Sequence, residues 1–595
     1  MKPYSCFFIV FFLCFNAFSQ QKMETDLLVI GASTGGTAAG IQAARMGIQT
    51  CIVEPTTWMG GMLTAAGVSC TDGNHSLKSG IWQEFREALY QHYGKRNLNS
   101  GWVSETCFEP SVGDSIFKAW ARKEKNLLVQ YGWYFEKVLL RHQKVIGAKF
   151  INKEGRFLEV IAKLTIDATD LGDGFASAGV PFDLGMESAS YSGESIAPGK
   201  YPVIQDLTWA AILKDYGKGA DQTIPQPQGY DPKLYHCSCE DAPCDGLPWK
   251  GSAAKMLQYG RLPQGKYMLN WPAHGNDYVG NVVELPQLQR EAALQAARNK
   301  TLGFVYFIQT QLGMKHLGLA DEFPTADKLA LMPYHREGRR MRGVVRLNVN
   351  QMIAPYQQPQ ALYRTGIAVG DYPVDHHHAQ EKKAPGIEFP SVPSFNIPLG
   401  ALIPEKIEGL IVCEKGISVS NIANGSTRLQ PCVLLTGQAA GVLAALSLQQ
   451  NIVVRNIEVR SVQKELLKNK CYLMPYVDVQ PNDPSWEAIQ RMGAAGILRG
   501  RLVPQGWANK TYFDPEQTVM WHELRANISD CFPEFLEEED DETHPVTGED
   551  LQKIATFFGK EGPLQNKVMT RKAIAVFLDQ ILPLQKIDLY GRTYN

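Results

Sequence analysis

Residues 26–54 read DLLVIGASTGGTAAGIQAARMGIQTCIVE, and their glycines and closing acid have the spacing of a dinucleotide site. A pyrophosphate needs free backbone N–H groups at a helix N-terminus and glycines that let the backbone come close. A ribose needs a carboxylate about 20 residues further on. Gly31 and Gly36 take the first and last positions of G-x-G-x-x-G, Gly35 precedes the last, and Glu54 is the acid. Ser33 stands where the middle glycine is usual; it is small, and its hydroxyl can face phosphate. Two readings stand for the glycines alone, a ligand cradle and a tight structural turn, and the position of Glu54 favours the cradle.

Other stretches carry chemistry-bearing residues. Gly60, Gly61 and Met62 form a second glycine-rich turn just after Glu54, and His75 follows it. Asp167 and Asp173 bracket the small-residue turn IDATDLGDG. His335, Arg336, Arg339 and Arg340 lie in YHREGRRMRG, where arginines can fork a carboxylate and a histidine can move a proton; a surface salt-bridge cluster is the other reading. In Asp375-His376-His377-His378, adjacent histidines do not share one metal, and His376 is taken as the acid/base candidate. No metal site is predicted. Cys237, Cys239 and Cys244 lie in HCSCEDAPC, which reads as a loop disulfide or as half of a metal site without its second ligand pair.

The elements that must position these groups follow from periodicity. Residues 27–30 and 48–53 are strand-like apolar runs around an Ala-rich helix over 37–46. Residues 81–93 read as helix, and 127–169 as a β-meander of strand-sized runs between turn signals. Residues 185–390 are richer in Pro and aromatics, with a long helix over 288–312. Residues 410–412 form another buried strand. A small-residue helix over 434–446 has Thr436, Gly437, Gln438 and Ala439 in its opening turn, where it can approach a ligand. From about residue 471 a small helical module begins, and residues 537–542, EEEDDE, read as a solvated loop.

A length of 595 residues implies two to four domains, and a net charge of −2 gives no basic footprint for nucleic acid. Residues 1–19 have the charge, apolar core and small residues of a cleaved secretory signal, with the cut before Gln20. The apolar run is shorter than the ~20 residues of a spanning helix. No transmembrane segment is expected in the mature chain, which is read as exported to the periplasm or the extracellular space.

The combination of GASTGG with Glu54, GGM, IDATDLGDG, REGRRMRG and GSTRLQPCVLLTGQAAG resembles the two-dinucleotide-domain flavoproteins. More closely it resembles secreted bacterial FAD-dependent oxidoreductases often labelled xanthan lyases. The resemblance spans about residues 25–450 and implies FAD as cofactor. It implies that Gly31, Ser33, Gly35, Gly36 and Glu54 hold the ADP half. Gly60, Gly61 and Met62 would line the flavin or its ribityl chain, and Asp167 and Asp173 would form a second contact. Arg428, Gln430, Gly437, Gln438 and Ala439 would lie near the isoalloxazine. The polar residue types themselves make His335, Arg336, Arg339 and Arg340, with His376, the catalytic candidates. Residues 471–595 are similar to an S-layer-homology repeat, which implies weak glycan contact or a structural appendage.

The expected architecture is α/β. A signal occupies 1–19. A discontinuous Rossmann-like FAD-binding domain over 20–184 and 391–455 carries the inserted meander, an α+β substrate or cap domain covers 185–390, and the helical module ends the chain. The expected function is hydride transfer between FAD and a small organic substrate, carbohydrate-derived or a carboxylate. Oxygen, a quinone or a carrier protein would be the electron partner, since no second fingerprint for a nicotinamide is present. The alternatives are a polysaccharide lyase and a cell-surface binding protein.

Overall fold

The computed structural model describes residues 21–378, 384–535, 543–563, 567–583 and 586–594. The signal over 1–19 and the acidic run over 537–542 lie outside the described residues. Residues 27–30 are inaccessible to solvent, the burial expected of a strand covered on both faces. They end strand β1 (Gln21–Ile30), which passes through Gly31 into helix α1 (Thr34–Arg45) and returns as β2 (Thr50–Glu54), parallel to β1 with Leu27 opposite Thr50. Helices α2 (Gly80–Tyr93) and α3 (Pro110–Lys123) follow, and β3 (Leu127–Tyr131) adds in parallel outside β2.

The predicted meander forms as three antiparallel strands that extend the same sheet. Strands β4 (Trp133–Arg141), β5 (Lys144–Asn152) and β6 (Phe157–Asp167) continue the same sheet, in the order β3-β2-β1-β6-β5-β4. The eleven-residue β6 serves two edges. Its first half pairs antiparallel with β5, and its last three residues pair in parallel with a much later strand. The helix Gln287–Thr310, α4, comes between. That later strand is β7 (Leu410–Val412), whose residue Val412 sits opposite Asp167. Thus the strand ends at Ile30, Glu54, Asp167 and Val412 share one edge of the sheet, where ligands bind in open α/β folds.

Helix α5 (Gln430–Gln450) packs against α1. It is long and apolar enough to cross a membrane, yet 89% of its most apolar window is buried in the protein. Its apolar surface is therefore satisfied by core packing. Residues 207–335 build two small antiparallel sheets beside α4, around a second core that includes Ile212, Trp271 and Phe304. The C-terminal helices do not stand apart. Tyr472, Trp486 and Trp521 are buried in the same continuous core as Leu27 and Ala439. Burying each such ring stabilises by roughly 1.5–3 kcal/mol, and the Tyr472 N–H donates to Ser79 Oγ at the start of α2 at 3.0 Å.

Candidate functional site

At the start of α1 the sequence-predicted residues come together. Ser33 caps α1, its Oγ accepting the Gly36 N–H at 3.1 Å. A Cβ at Gly36 would meet the Gly31 carbonyl oxygen at 2.1 Å, so the turn admits no side chain there. Glu54, at the end of β2, accepts the Ala32 N–H at 2.7 Å with one oxygen and the Thr56 N–H at 2.9 Å with the other. Burial pushes its pKa up, and the donors from Thr56 and Ala32 oppose that. The second glycine turn folds over the same helix start, since a Cβ on Gly61 would lie 2.7 Å from Ser33 Cα. A capped helix start, an acid and a glycine cover meet on one sheet edge, an arrangement that fits the ADP half of FAD.

Two residues of this end escaped the sequence reading. The Glu414 carboxylate accepts the Gly35 N–H at 2.7 Å, and Lys415 Nζ donates to it at 2.8 Å. Lys415 also donates to Asp170. Burial opposes the Lys415 charge, but Asp170 and Glu414 outweigh it and raise its pKa. The start of α1 therefore already attracts an anion from the chain itself. The signal was the pair's place just after the strand 410–412, at the sheet edge that Asp167 also occupies.

Asp167 and Asp173 serve the turn between them. Both Asp167 oxygens are occupied, one by the Thr169 N–H at 2.9 Å and the other by the Phe175 N–H at 2.6 Å. Asp173 pairs with Arg339 at 2.9 Å. Met62 is buried in the second core.

Helix α5 begins four residues earlier than the sequence suggested. Pro431 lies in its first turn, where the fixed φ favours initiation and the missing N–H costs nothing. Gly437, Gln438 and Ala439 consequently sit inside the helix. A Cβ on Gly437 would lie 2.1 Å from the Gly35 carbonyl oxygen, so this glycine lets two helix backbones touch. Gln438 bridges Gln42 at 2.9 Å and accepts the Ile81 N–H at 2.9 Å. GQAAG thus closes the α1–α5 contact, away from the N-terminal end of α5, which Arg428 precedes by two residues. Around that end, buried polar atoms lack a protein partner: Asn421 Oδ1, Ser426 Oγ, Arg428 Nε and His376 Nδ1. Unpaired buried groups are costly and gather where a polar ligand edge can satisfy them, which suits an isoalloxazine.

A cavity of about 620 Å³ opens beside this end, lined by Arg428, Tyr334, Arg336, Asp72, Asp375 and His377, with Trp102, Trp249, Tyr259, Trp271, Tyr372 and Trp507. Arg428 donates to Tyr334 Oη at 2.6 Å and to Asp375 Oδ2 at 3.0 Å. Arg336 donates to Asp277 Oδ1 at 3.0 Å and to the Asp206 carbonyl at 2.7 Å. His377 lies between two carboxylates, 3.0 Å from Asp375 Oδ2 and 3.6 Å from Asp277 Oδ2. Burial and the Arg336 charge work against its imidazolium; Asp375 and Asp277 outweigh them, and its pKa is raised. Asp375 and Asp277 are correspondingly held below the usual carboxylate range despite burial. Asp72 behaves oppositely. Burial, helped by Asp375, pushes it up to about 6 against the pull of Arg428 and Gln430.

Of the residues predicted for catalysis, Arg336 alone lines this cavity. His335 is buried, and burial with Lys415 and Arg290 pushes its imidazole down to about 3. Arg339 is held by Asp173 and by the Leu171 carbonyl at 3.1 Å. Arg340 is enclosed by Glu337 and by Glu187 at 2.8 Å, a fully buried ion-pair knot. The His376 ring lies against Phe389 and 3.0 Å from the Asn421 carbonyl, while its neighbour His377 faces the cavity. His75 is at the cavity wall, held neutral by burial and Arg86. Cys237 and Cys244 form the loop disulfide, and Cys239 is a buried thiol.

A family model described as FAD dependent oxidoreductase matches residues 26–466. No curated protein matches the chain. Among solved structures, the chain is similar to a geranylgeranyl bacteriochlorophyll reductase-like protein from Thermoplasma acidophilum. The identity is 12% and the TM-score 0.34, over 87% of this chain and 99% of that one. It is similar to an FrdA variant of E. coli quinol fumarate reductase at 10% identity and TM-score 0.30, over 94% of this chain and 87% of that one. Similarity to L-proline dehydrogenase from P. horikoshii, at 12% identity and TM-score 0.18, covers 26% of this chain and 24% of that one, so the chain spans about a quarter of that protein's length.

Proposed function

The chain belongs to the FAD dependent oxidoreductase family, and from that premise we propose that it moves a hydride between FAD and a small organic substrate held in the 620 Å³ cavity. The substrate is carbohydrate-derived or a carboxylate, and the electron partner is oxygen, a quinone or a carrier protein rather than a nicotinamide. The enzyme acts outside the cytoplasm, a reading that rests on the composition of residues 1–19. The observation that carries the proposal is the cavity's position. Its wall includes Arg428, two residues before α5, together with a paired set of proton-holding groups.

When bound, FAD supplies the two-electron redox chemistry, and the protein positions and protonates. Asp72 is ionised above about pH 6 and can take a proton from a substrate hydroxyl. His377, held as imidazolium by Asp375 and Asp277, can stabilise or protonate a developing oxyanion. Arg336 fixes Asp277, and Arg428 fixes Asp375 and Tyr334, so both arginines orient the proton-holding pair.

The test is the visible spectrum of the purified protein. Oxidised-flavin absorbance that a substrate bleaches without oxygen is expected. A folded, colourless protein that cannot be reconstituted with FAD would overturn the reading.

A further inference from the structure

Eleven tryptophans occur in the chain, and the two exposed ones, Trp102 at 49% and Trp507 at 66%, both sit on the rim of the same cavity. Large exposed rings forgo burial energy, so two of them at one cavity mouth point to a ligand that covers them.

Neither ring is loose. The Trp102 indole N–H donates to the Lys255 carbonyl at 2.8 Å. The ring stacks on Trp249 with centroids 6.1 Å apart and meets Tyr259 edge-on at 5.0 Å. Trp271 locks this group from behind, 4.6 Å from Trp249. Trp507 comes from a distant stretch of the chain and packs on Tyr372 at 5.1 Å. Its loop is tied by Asn509. The Asn509 Oδ1 accepts the Gln505 and Gly506 N–H groups at 2.7 and 3.0 Å. Its own side-chain amide donates to the Asp371 carbonyl at 2.9 Å, one residue from Tyr372. The C-terminal module therefore supplies a wall of the cavity.

The floor decides between ligand classes. Arg336 and Arg428 have their terminal nitrogens engaged by Asp277, Asp206, Tyr334 and Asp375, so neither presents a free fork to a carboxylate. The lining instead carries the acids Asp72, Glu105 and Asp375. These balance the cations Arg336, Arg428 and His377, so the lining has no net charge to draw in an anion. A neutral molecule with many hydroxyls can donate to these acids and accept from Asn270, while its flat C–H faces lie on indole rings.

We propose that the cavity binds a neutral saccharide, its terminal pyranose on the polar floor and the adjoining ring between Trp102 and Trp507, so that the C-terminal module is a substrate-specificity element. This rests on reading the cavity as the substrate chamber.

The test is isothermal titration of the flavin-loaded protein with cellotriose, maltotriose, mannotriose and chitotriose, with succinate as the anionic control. At least one trisaccharide is expected to bind saturably. Trp507→Ala and Trp102→Ala should each weaken that binding about tenfold, as loss of an aromatic anchor does, with Trp507→Phe restoring most of it and the flavin spectrum unchanged. Binding of none of the four, binding indifferent to both tryptophans, or tryptophan-dependent binding of succinate would each overturn the proposal. A flavin-bearing protein that binds no saccharide removes this inference and leaves the oxidoreductase reading standing. A flavin-free folded protein that binds saccharide through Trp507 does the reverse.

Discussion

The carboxylate of Glu414 accepts the amide of Gly35 at 2.7 Å, across 379 residues of chain. It does so from a left-handed backbone, φ +76°, a conformation that costs a non-glycine residue energy and persists because the side chain is held. The contact locks the end of β7 onto the start of α1. It also places a buried lysine beside the same anion position.

Glu414→Gln should therefore cost more than a surface change. The amide can still accept from Gly35, but Lys415 keeps only Asp170 as a charged partner. Breaking a buried pair costs about 3–5 kcal/mol. Urea unfolding should show a loss of that order. A loss under 1 kcal/mol would mean that the pair is not closed in solution.

Asp72 sets a pH dependence. With its carboxyl raised to about 6, the base form appears as pH rises through that value. The rate of flavin reduction by an oxidisable substrate should climb to a plateau above pH 7. Asp72→Asn should remove the inflection and slow reduction by about 10²-fold or more, with flavin content unchanged. An unaltered profile in Asp72→Asn would assign the base elsewhere.

His377 and His376 should separate function from stability. His377→Gln is expected to lower the reduction rate by about 10²–10³-fold while the protein keeps its flavin, with a smaller loss of stability than His376→Ala because Arg336 and Arg428 still hold Asp277 and Asp375. His376→Ala removes a buried ring packed on Phe389 and should lower stability by about 2–3 kcal/mol. Stopped-flow reduction and urea unfolding of both variants give four numbers, and the reverse pattern would return the acid/base role to His376.

That pair also shows where the sequence stops being legible. Residues 26–54 could be read because strand, glycine turn, helix and acid are local, and the spacing is the chemistry. Which of two adjacent histidines faces a cavity depends on register, because neighbouring side chains on extended backbone point opposite ways. Here register is set by distant partners. The His377 carbonyl accepts the Asp206 N–H at 2.8 Å, and the His377 N–H donates to Gln205 at 3.3 Å. The cavity gathers Asp72, Trp102, Trp271, Arg336, His377 and Trp507 from well-separated stretches, so no local pattern announces it. GQAAG was visible as a small-residue motif, but small residues serve helix contact and ligand contact alike. Only the position of Pro431, which moves the helix start to Gln430, separates the two uses.

Cys70 and Cys107 form a latent cross-link. Their sulfurs lie 2.7 Å apart on paired backbone, both buried. Thiol–disulfide exchange with oxidised glutathione should transfer two hydrogens from the pair to the reagent and join them. Titration of the denatured protein should then find two thiols fewer, and peptide mapping should place the link. Closing a 37-residue separation should stabilise by about 4 kcal/mol. Unchanged thiol number after prolonged oxidation would show that the pair does not close.

Asp371 ties the cavity wall to stability. Its Oδ1 accepts the Asn74 N–H at 2.6 Å, and its carbonyl holds Asn509 and hence the Trp507 loop. Oδ2 is buried without a partner. Burial, with Glu105 adding, raises this carboxyl from 3.8 to about 7. A raised folded pKa means that the folded state favours the protonated form. The stability this provides is complete below the unfolded value and is lost as pH rises through about 7. The whole span is worth at most ~4 kcal/mol. Asp371→Asn is neutral at every pH and keeps an acceptor for Asn74. It should match the wild type near pH 4 and exceed it in stability above pH 7, the gap growing by about 2–3 kcal/mol between pH 5 and pH 8. Urea unfolding at those two pH values measures it. A gap that stays constant would mean that Asp371 ionises freely, and that water reaches the wall which the Trp507 loop covers.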